Sequence, residues 1–141
     1  MAVEIDIRYE GQLRCGAVHG PSRQALTTDA PVDNGGKGEA FSPTDLVATA
    51  MGTCVMTIMG LVAQRQGVDL SGTRIHVTKE MAQAPVRRIS AIRVTVTLPA
   101  GLELGEADRV RIENGARSCP VRQSLHPDVE TPIVFVYPPT A

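Results

Sequence analysis

A single long helix is encoded by residues 42–67, SPTDLVATAMGTCVMTIMGLVAQRQG, and this stretch decides the fold. Ser42 is a typical N-cap residue, Pro43 suits the first helical position, and Asp45 can close a capping box with Ser42. Glycine is the residue that most often follows the last helical turn, and Gly67 stands there. The sequence therefore predicts a helix that begins at Pro43 and ends just before Gly67.

This helix has no fully polar face, which indicates burial on most sides. One apolar stripe consists of Val47, Ala50, Met51, Cys54, Ile58 and Leu61, and a row at a spacing of four consists of Ala48, Gly52, Met56 and Gly60. Since the small members of that row permit close approach, we expect a second helix to pack on them. The uncharged run from Leu46 to Gln64 has the length of a membrane span, but its threonines and glycines lower its hydropathy. A helix in a soluble core fits better, and we expect no membrane partner.

Shorter elements are predicted on both sides of the helix. Alternating apolar residues from Val3 to Tyr9, and again from Ile92 to Leu98, indicate strands with one solvent-exposed face. The patterns together predict strands at about 3–10, 13–19, 24–28, 73–80, 88–98 and 133–137, and helices at about 106–118 and 120–125. Residues 29–38, DAPVDNGGKG, form a loop by composition, and we interpret the glycine-rich part as a mobile flap.

The composition indicates one globular domain, residues 1–141, with an aliphatic core. The net charge is −1 and no run of Lys and Arg exceeds two residues, so we expect no nucleic-acid partner. Aromatic residues make up only 3% of the chain. We expect a homodimer interface to complete a core that aromatic side chains do not fill. The first ten residues have no apolar region typical of a signal peptide, which favours a cytoplasmic location.

The three cysteines do not form a disulfide framework, because their number is odd and their setting is predicted to be reducing. Cys54 lies on the apolar stripe of the helix, where a buried packing role is common, and Cys15 lies on the apolar face of a strand. Cys119 precedes Pro120 at a predicted helix N-terminus, where the helix dipole lowers the pKa of a thiol. From position alone, Cys119 is either a reactive thiol or a structural residue.

Metal and phosphate sites fit the sequence poorly. Cys15 and His19 are four residues apart, Cys119 and His126 are seven apart, and no C-x-x-C motif is present. Residues four apart on an extended strand are too distant to share one zinc ion, so we expect no metal. The segment Asn34–Gly38 matches neither the P-loop nor the dinucleotide fingerprint, so we expect no cofactor.

Two segments together resemble a known family. They are Phe41-Ser42-Pro43-Thr44-Asp45-Leu46 … Gly52-Thr53-Cys54 and Ser118-Cys119-Pro120-Val121 … Ser124-Leu125. Both are similar to the OsmC/Ohr superfamily of osmotically induced and organic-hydroperoxide-resistance proteins. The resemblance implies an α+β fold in which antiparallel sheets wrap around the long central helices of an intertwined homodimer. It also implies a thiol-dependent peroxidase that reduces organic hydroperoxides or hydrogen peroxide and is restored by an external dithiol reductant.

The same resemblance assigns roles to the cysteines and to an arginine. Cys54 matches the peroxidatic position and Cys119 the resolving position. A buried thiolate needs a positive neighbour, because burial alone raises the pKa of a thiol. The candidates are Arg14, Arg23, Arg87 and Arg88. Arg14 best matches the arginine that the family carries on an early strand.

The start of the helix departs from the family pattern. The organic-hydroperoxide branch has P-E-x-L there, with the glutamate orienting the arginine, whereas Thr44 stands at that position here and Asp45 follows it. Asp45 either replaces the glutamate or serves only as a cap. This departure keeps a second function open, a non-enzymatic stress-associated binding or redox-sensing protein on the same scaffold. The two cysteines in their family contexts favour the peroxidase.

Overall fold

The computed structural model describes residues 1–140, which form six strands and three α-helices. The strands are β1 (Ile5–Gly11), β2 (Arg14–His19), β3 (Ala25–Asp29), β4 (Arg74–Ala82), β5 (Arg88–Thr97) and β6 (Ile133–Val136), and the helices are α1 (Pro43–Arg65), α2 (Glu106–Arg117) and α3 (Pro120–Ser124). Each predicted element is confirmed, with ends that differ by at most two residues. The chain divides into two compact units, residues 1–47 and the residues from Ala48 onward.

The first unit is an antiparallel sheet in the order β1-β2-β3. Ile7 lies opposite Ala17, and Ala17 lies opposite Leu26. The segment 29–38, whose mobility stays a prediction, contains a 3₁₀ turn at Val32–Asn34, and the backbone N–H of Gly38 then donates to the carbonyl oxygen of Ala30. A Cβ at Gly36 would collide with the carbonyl oxygen of Ala30, so only glycine permits this close return.

The second unit contains a mixed sheet in the order β4-β5-β6. β4 and β5 are antiparallel, as predicted, but β6 runs parallel to β5, with Val94 opposite Ile133. The expectation of purely antiparallel sheets is therefore wrong for this strand. The physical reason is the connection, because α2 and α3 lie between β5 and β6 and return the chain to the end of the sheet where β5 began.

The core of the second unit is aliphatic, as the composition indicates. Its largest fully buried side chains on α1, β5 and α2 are Met51, Val55, Met59, Ile92, Val94, Val96 and Ile112. The buried face of α1 consists of Ala48, Met51, Gly52, Val55, Met59 and Ala63. Of the apolar stripe expected from the sequence, only Met51 lies on this face, and Leu61 remains 43% exposed. A helix that is apolar all round carries no polar face from which its rotation could be predicted.

At Gly52, one of the small residues of α1, the expected second helix is replaced by a strand, and the helix contact lies elsewhere on α1. A Cβ at Gly52 would lie 2.7 Å from Cγ2 of Val77, so α1 approaches strand β4 at this point rather than a second helix. The close contact between helices depends on Gly115 of α2, where a Cβ would lie 2.9 Å from Cγ2 of Val62. By length and composition alone, α1 would also suffice to cross a membrane, a test that the core helices of globular proteins pass as well.

Candidate active site

The fold of the second unit brings Cys54 and Cys119 together. Cys54 lies on α1 and is half-buried, whereas Cys119 lies in the connection between α2 and α3 and is completely buried. Both are free thiols, and they lie near enough for the Cys54 side chain to raise the pKa of Cys119. Since 65 residues separate them in the sequence (119 minus 54), tertiary structure alone creates this pair.

Local backbone structure fixes the position of the Cys119 sulfur. Pro120 begins α3, and Cys119 is its N-cap, as the sequence predicts. The backbone N–H of Arg122 donates a hydrogen bond of 3.4 Å to Sγ of Cys119. The backbone N–H of Cys119 donates to the carbonyl oxygen of Ala116 at the end of α2. The thiol is therefore held from both sides by the helices that flank it.

Burial raises the pKa of the Cys119 thiol, and the neighbouring Cys54 side chain raises it further. Backbone N–H groups of Arg122 and Val121 oppose this shift but do not outweigh it. The lowered pKa expected from a helix N-terminus is therefore wrong in direction, because complete burial has a larger effect than a helix of only five residues. A thiol with a raised pKa is a poor first nucleophile, so Cys119 is better suited to react second.

In the first unit, Arg14 is held by a carboxylate that the sequence did not single out. Its Nε donates to Oδ1 of Asp29 at 2.7 Å, and its Nη2 donates to Oδ2 at 2.8 Å. Asp29 is 1% exposed and also accepts the backbone N–H of Glu39 at 3.0 Å. The Arg14 guanidinium lowers the pKa of the Asp29 carboxyl, and the pKa of Arg14 is raised in turn.

The sequence contained one signal that could have found Asp29. Arg14 and Asp29 lie directly opposite each other in the β2–β3 register, at the ends of the two strands. Opposite charges at paired positions are a usual source of cross-strand stabilisation. The register itself was not predictable, because the third strand lacks a clear alternation of apolar and polar residues.

The other arginines considered as partners for the thiolate lie in different settings. Arg23 has a positive φ of 63° and lies in an exposed turn. Arg87 donates to Oε1 of Gln83 at 3.3 Å, and Arg88 donates to the carbonyl oxygen of Ile89 at 3.1 Å. Of these four arginines, Arg14 alone is fixed by a buried carboxylate.

Asp45 forms the capping box that the sequence predicts. The backbone N–H of Ser42 donates to Oδ2 of Asp45 at 2.9 Å, and the backbone N–H of Asp45 donates to Oγ of Ser42 at 3.0 Å. Oγ1 of Thr44 lies 3.2 Å from the same Ser42 hydroxyl. These contacts confirm the cap, whereas the second role considered for Asp45, orienting an arginine, stays a prediction.

Metal-ligating residues do not cluster in the described part of the chain. Among residues 1–140, no group of three or more His, Cys, Asp or Glu side chains could hold a metal ion. Cys15 lies in β2 between Tyr9 of β1 and Thr28 of β3, on the opposite side of the strand from its neighbour Arg14. The second unit holds the two neighbouring thiols of Cys54 and Cys119.

Comparison with known proteins identifies a matching family. The sequence model described as OsmC-like protein matches residues 36–133. No match was found among curated proteins. A protein from Psychrobacter arcticus, provisionally described as an osmotic stress induced and detoxification response protein, is 43% identical over 93% of both chains, with a TM-score of 0.86.

More distant solved structures share the fold. An organic hydroperoxide resistance protein from Legionella pneumophila is 15% identical, with 96% of this chain and 97% of that chain covered and a TM-score of 0.76. The organic hydroperoxide resistance protein OhrB of Bacillus subtilis is 13% identical, with 96% and 98% covered and a TM-score of 0.68. At these identities the likeness extends to the fold alone.

Proposed function

Since this chain belongs to the OsmC-like protein family, we propose that it is a thiol-dependent peroxidase that reduces organic hydroperoxides or hydrogen peroxide. The observation that carries the proposal is the proximity of Cys54 to the buried Cys119, whose pKa it raises. Two thiols that are already neighbours in the reduced protein need little movement to form a disulfide. That arrangement suits a peroxidatic and resolving pair.

The first step is the attack of the Cys54 thiolate on the hydroperoxide. The sulfur gives an electron pair to the distal oxygen, the O–O bond breaks, and Cys54 becomes a sulfenic acid. The second oxygen leaves with the organic group and takes a proton to become an alcohol, or water when the substrate is hydrogen peroxide. Cys54 is suited to this step because it is only half-buried, whereas Cys119 is inaccessible to solvent.

The second step joins the two cysteines. The sulfur of Cys119 attacks the sulfur of Cys54, the S–OH bond breaks, and the hydroxyl leaves as water with the proton that Cys119 gives up. The cycle closes when an external dithiol reduces the Cys54–Cys119 disulfide by thiol–disulfide exchange. Each turnover thus converts one hydroperoxide and one dithiol into an alcohol, water and a disulfide of the reductant.

Arg14 is the proposed positive partner of the peroxidatic thiolate. Its two hydrogen bonds to Asp29 fix the plane of the guanidinium, and a bidentate pair of this kind restricts arginine to one orientation. Asp29 then supplies the orienting carboxylate that the Thr44 departure removes from the helix start. Asp45 contributes to the site through the capping box that begins α1.

Thiol counting tests the proposal directly. The fully reduced protein is incubated with one equivalent of an organic hydroperoxide, and free thiols are counted in the wild type, Cys54→Ser, Cys119→Ser and Cys15→Ser. We expect two thiols per chain to be lost in the wild type and in Cys15→Ser, and none by disulfide formation in Cys54→Ser. An unchanged thiol count in the wild type would overturn the peroxidase proposal.

A redox-sensing protein on the same scaffold is the second candidate. The observation that favours it is Thr44 at the position where the organic-hydroperoxide branch carries glutamate. A sensor would oxidise once but would not turn over with a dithiol. Steady-state consumption of hydrogen peroxide and a bulky organic hydroperoxide, with several dithiols as reductants, separates the two candidates.

A homodimer is the proposed assembly. On β1, the alternate residues Ile5, Ile7 and Tyr9 are each more than half exposed, at 58%, 69% and 63%. Alternate residues of a strand share one face, and an exposed apolar stripe of this kind commonly marks an interface. We expect a dimer mass by analytical ultracentrifugation at micromolar concentration, and a shift toward monomer in Ile7→Lys.

A further inference from the structure

Arg122 makes three hydrogen bonds around the position of Cys119. Its Nε donates to Oγ1 of Thr131 at 2.9 Å, and its Nη1 donates to the carbonyl oxygen of Arg117 at 2.8 Å. Its backbone N–H donates to Sγ of Cys119. One side chain therefore ties the segment that carries Cys119 to the end of α2 and to the segment that leads into β6.

The two ends joined by Arg122 bracket the thiol. Arg117 is the last residue of α2 and lies two residues before Cys119, whereas Arg122 lies three residues after it on α3. A guanidinium on the last carbonyl of a helix also satisfies an acceptor that has no partner within the helix. The Arg122–Arg117 bond thus closes the short turn in which Cys119 lies and limits its movement relative to α2.

We propose that Arg122 is a positioning residue for the resolving thiol, because its guanidinium holds the α2–α3 turn in the place where Cys119 meets Cys54. That Cys119 acts as a resolving thiol rests on the proposed function. The physical claim concerns only how readily the two sulfurs combine. Intramolecular reactions lose about a hundredfold in rate when the reacting groups are misplaced by about 1 Å.

The test measures disulfide formation without peroxide. Reduced protein is equilibrated with mixtures of glutathione and glutathione disulfide, in which two protein thiols become one disulfide and one glutathione disulfide becomes two glutathiones. In Arg122→Met we expect the effective concentration of the Cys54–Cys119 pair to fall about tenfold, a shift of ~30 mV in the potential of the pair. Thr131→Val, which removes only the Nε acceptor, should give a smaller shift in the same direction.

A kinetic measurement separates positioning from a general loss of structure. Sulfenic acid formation on Cys54 is followed with a trapping reagent, and disulfide formation is followed by mass spectrometry. We expect Arg122→Met to slow the second step about tenfold or more and to leave the first unchanged. Arg122→Lys should recover part of the rate. The matched control is Arg111→Met, since Arg111 makes an exposed ion pair with Asp108 on α2.

The outcomes of the two measurements are distinguishable from a failure of the peroxidase proposal. If Arg122→Met does not fold, Thr131→Val carries the test, with a melting curve as its check. Unchanged equilibria in the folded variants, or absence of a Cys54–Cys119 disulfide in the wild type, would overturn the role of Arg122. A wild type that forms this disulfide in glutathione but does not reduce peroxide would overturn the peroxidase and leave the role of Arg122 standing.

Discussion

Asp29, the last residue of β3, accepts two hydrogen bonds, of 2.7 and 2.8 Å, from the guanidinium of Arg14 on the neighbouring strand. The carboxylate is 1% exposed and accepts a third bond from the backbone of Glu39. A buried charge is tolerated only when it is paired and hydrogen-bonded, and this one is both. The arginine proposed to serve the peroxidatic thiol is thus oriented from within its own sheet.

This pair makes stability depend on pH. The Arg14 guanidinium lowers the pKa of Asp29 in the folded protein, so the folded state binds a proton there less readily than the unfolded chain does. The stabilising contribution is therefore fully present above the ordinary aspartate pKa of about 4 and is lost as the pH falls below it. We expect the melting temperature of the wild type to exceed that of Asp29→Asn at pH 7, and the difference to shrink as the pH falls below about 4.

Asp33→Asn is the matched control, because Asp33 is an exposed carboxylate four residues further along the chain. Its melting temperature should follow the wild type across the pH range. A difference between the wild type and Asp29→Asn that stays constant through acid pH would contradict an electrostatic origin and indicate a packing effect instead.

The elements of this fold were predictable because periodicity and end signals agree. The capping box at Ser42 and Asp45 and the proline at position 120 mark the starts of two helices through local sequence alone. The rotation of α1 was not predictable, because its apolar residues surround the whole helix. Nor was the parallel direction of β6, since a four-residue strand, IVFV, carries no signal of its direction.

In the candidate site, too, local features were predictable and tertiary contacts were not. Local sequence placed Cys119 at a helix start, but its contact with Cys54 is tertiary and was implied only by resemblance. The sequence analysis did not identify Asp29 or Arg122. Asp29 binds Arg14, fifteen positions away, and Arg122 binds Thr131, nine positions away. Such pairs depend on strand register and loop path, which no local pattern encodes.

The capping box predicts equal losses of stability in two variants. Ser42→Ala and Asp45→Ala each remove one of the two reciprocal hydrogen bonds at the start of α1. Loss of an N-cap side chain costs about 1 kcal/mol, and we expect each variant to lose about this much free energy of unfolding in urea titrations. Peroxide consumption should fall by a similar small factor in both. A much larger loss of activity in Asp45→Ala than in Ser42→Ala would instead assign Asp45 the arginine-orienting role.

Gly52 lies on the buried face of α1, and a larger side chain at this position should disturb the packing of the helix. A Cβ there would lie 2.7 Å from Cγ2 of Val77 and 3.2 Å from Cγ2 of Ile75, so Gly52→Leu would force strand β4 away from the helix. Overpacking of this kind costs about 1–3 kcal/mol, which we expect as the loss in free energy of unfolding. Thr53→Ala, at the adjacent exposed position, should change stability by less than about 0.5 kcal/mol. A neutral Gly52→Leu would contradict the close approach of α1 and β4.

Removal of the resolving thiol predicts a change in the fate of Cys54 rather than in its first reaction. Without Cys119, the sulfenic acid on Cys54 has no neighbouring thiol, so excess peroxide should oxidise it to sulfinic acid, which a dithiol cannot reduce. We expect Cys119→Ser to form the sulfenic acid at the wild-type rate, to be oxidised a second time by excess peroxide, and then to stop. Mass spectrometry should find sulfinic acid at Cys54 in this variant and a Cys54–Cys119 disulfide in the wild type. Cys15→Ser, whose thiol lies in the first unit, should behave like the wild type, and a disulfide that contains Cys15 would contradict the assigned pair.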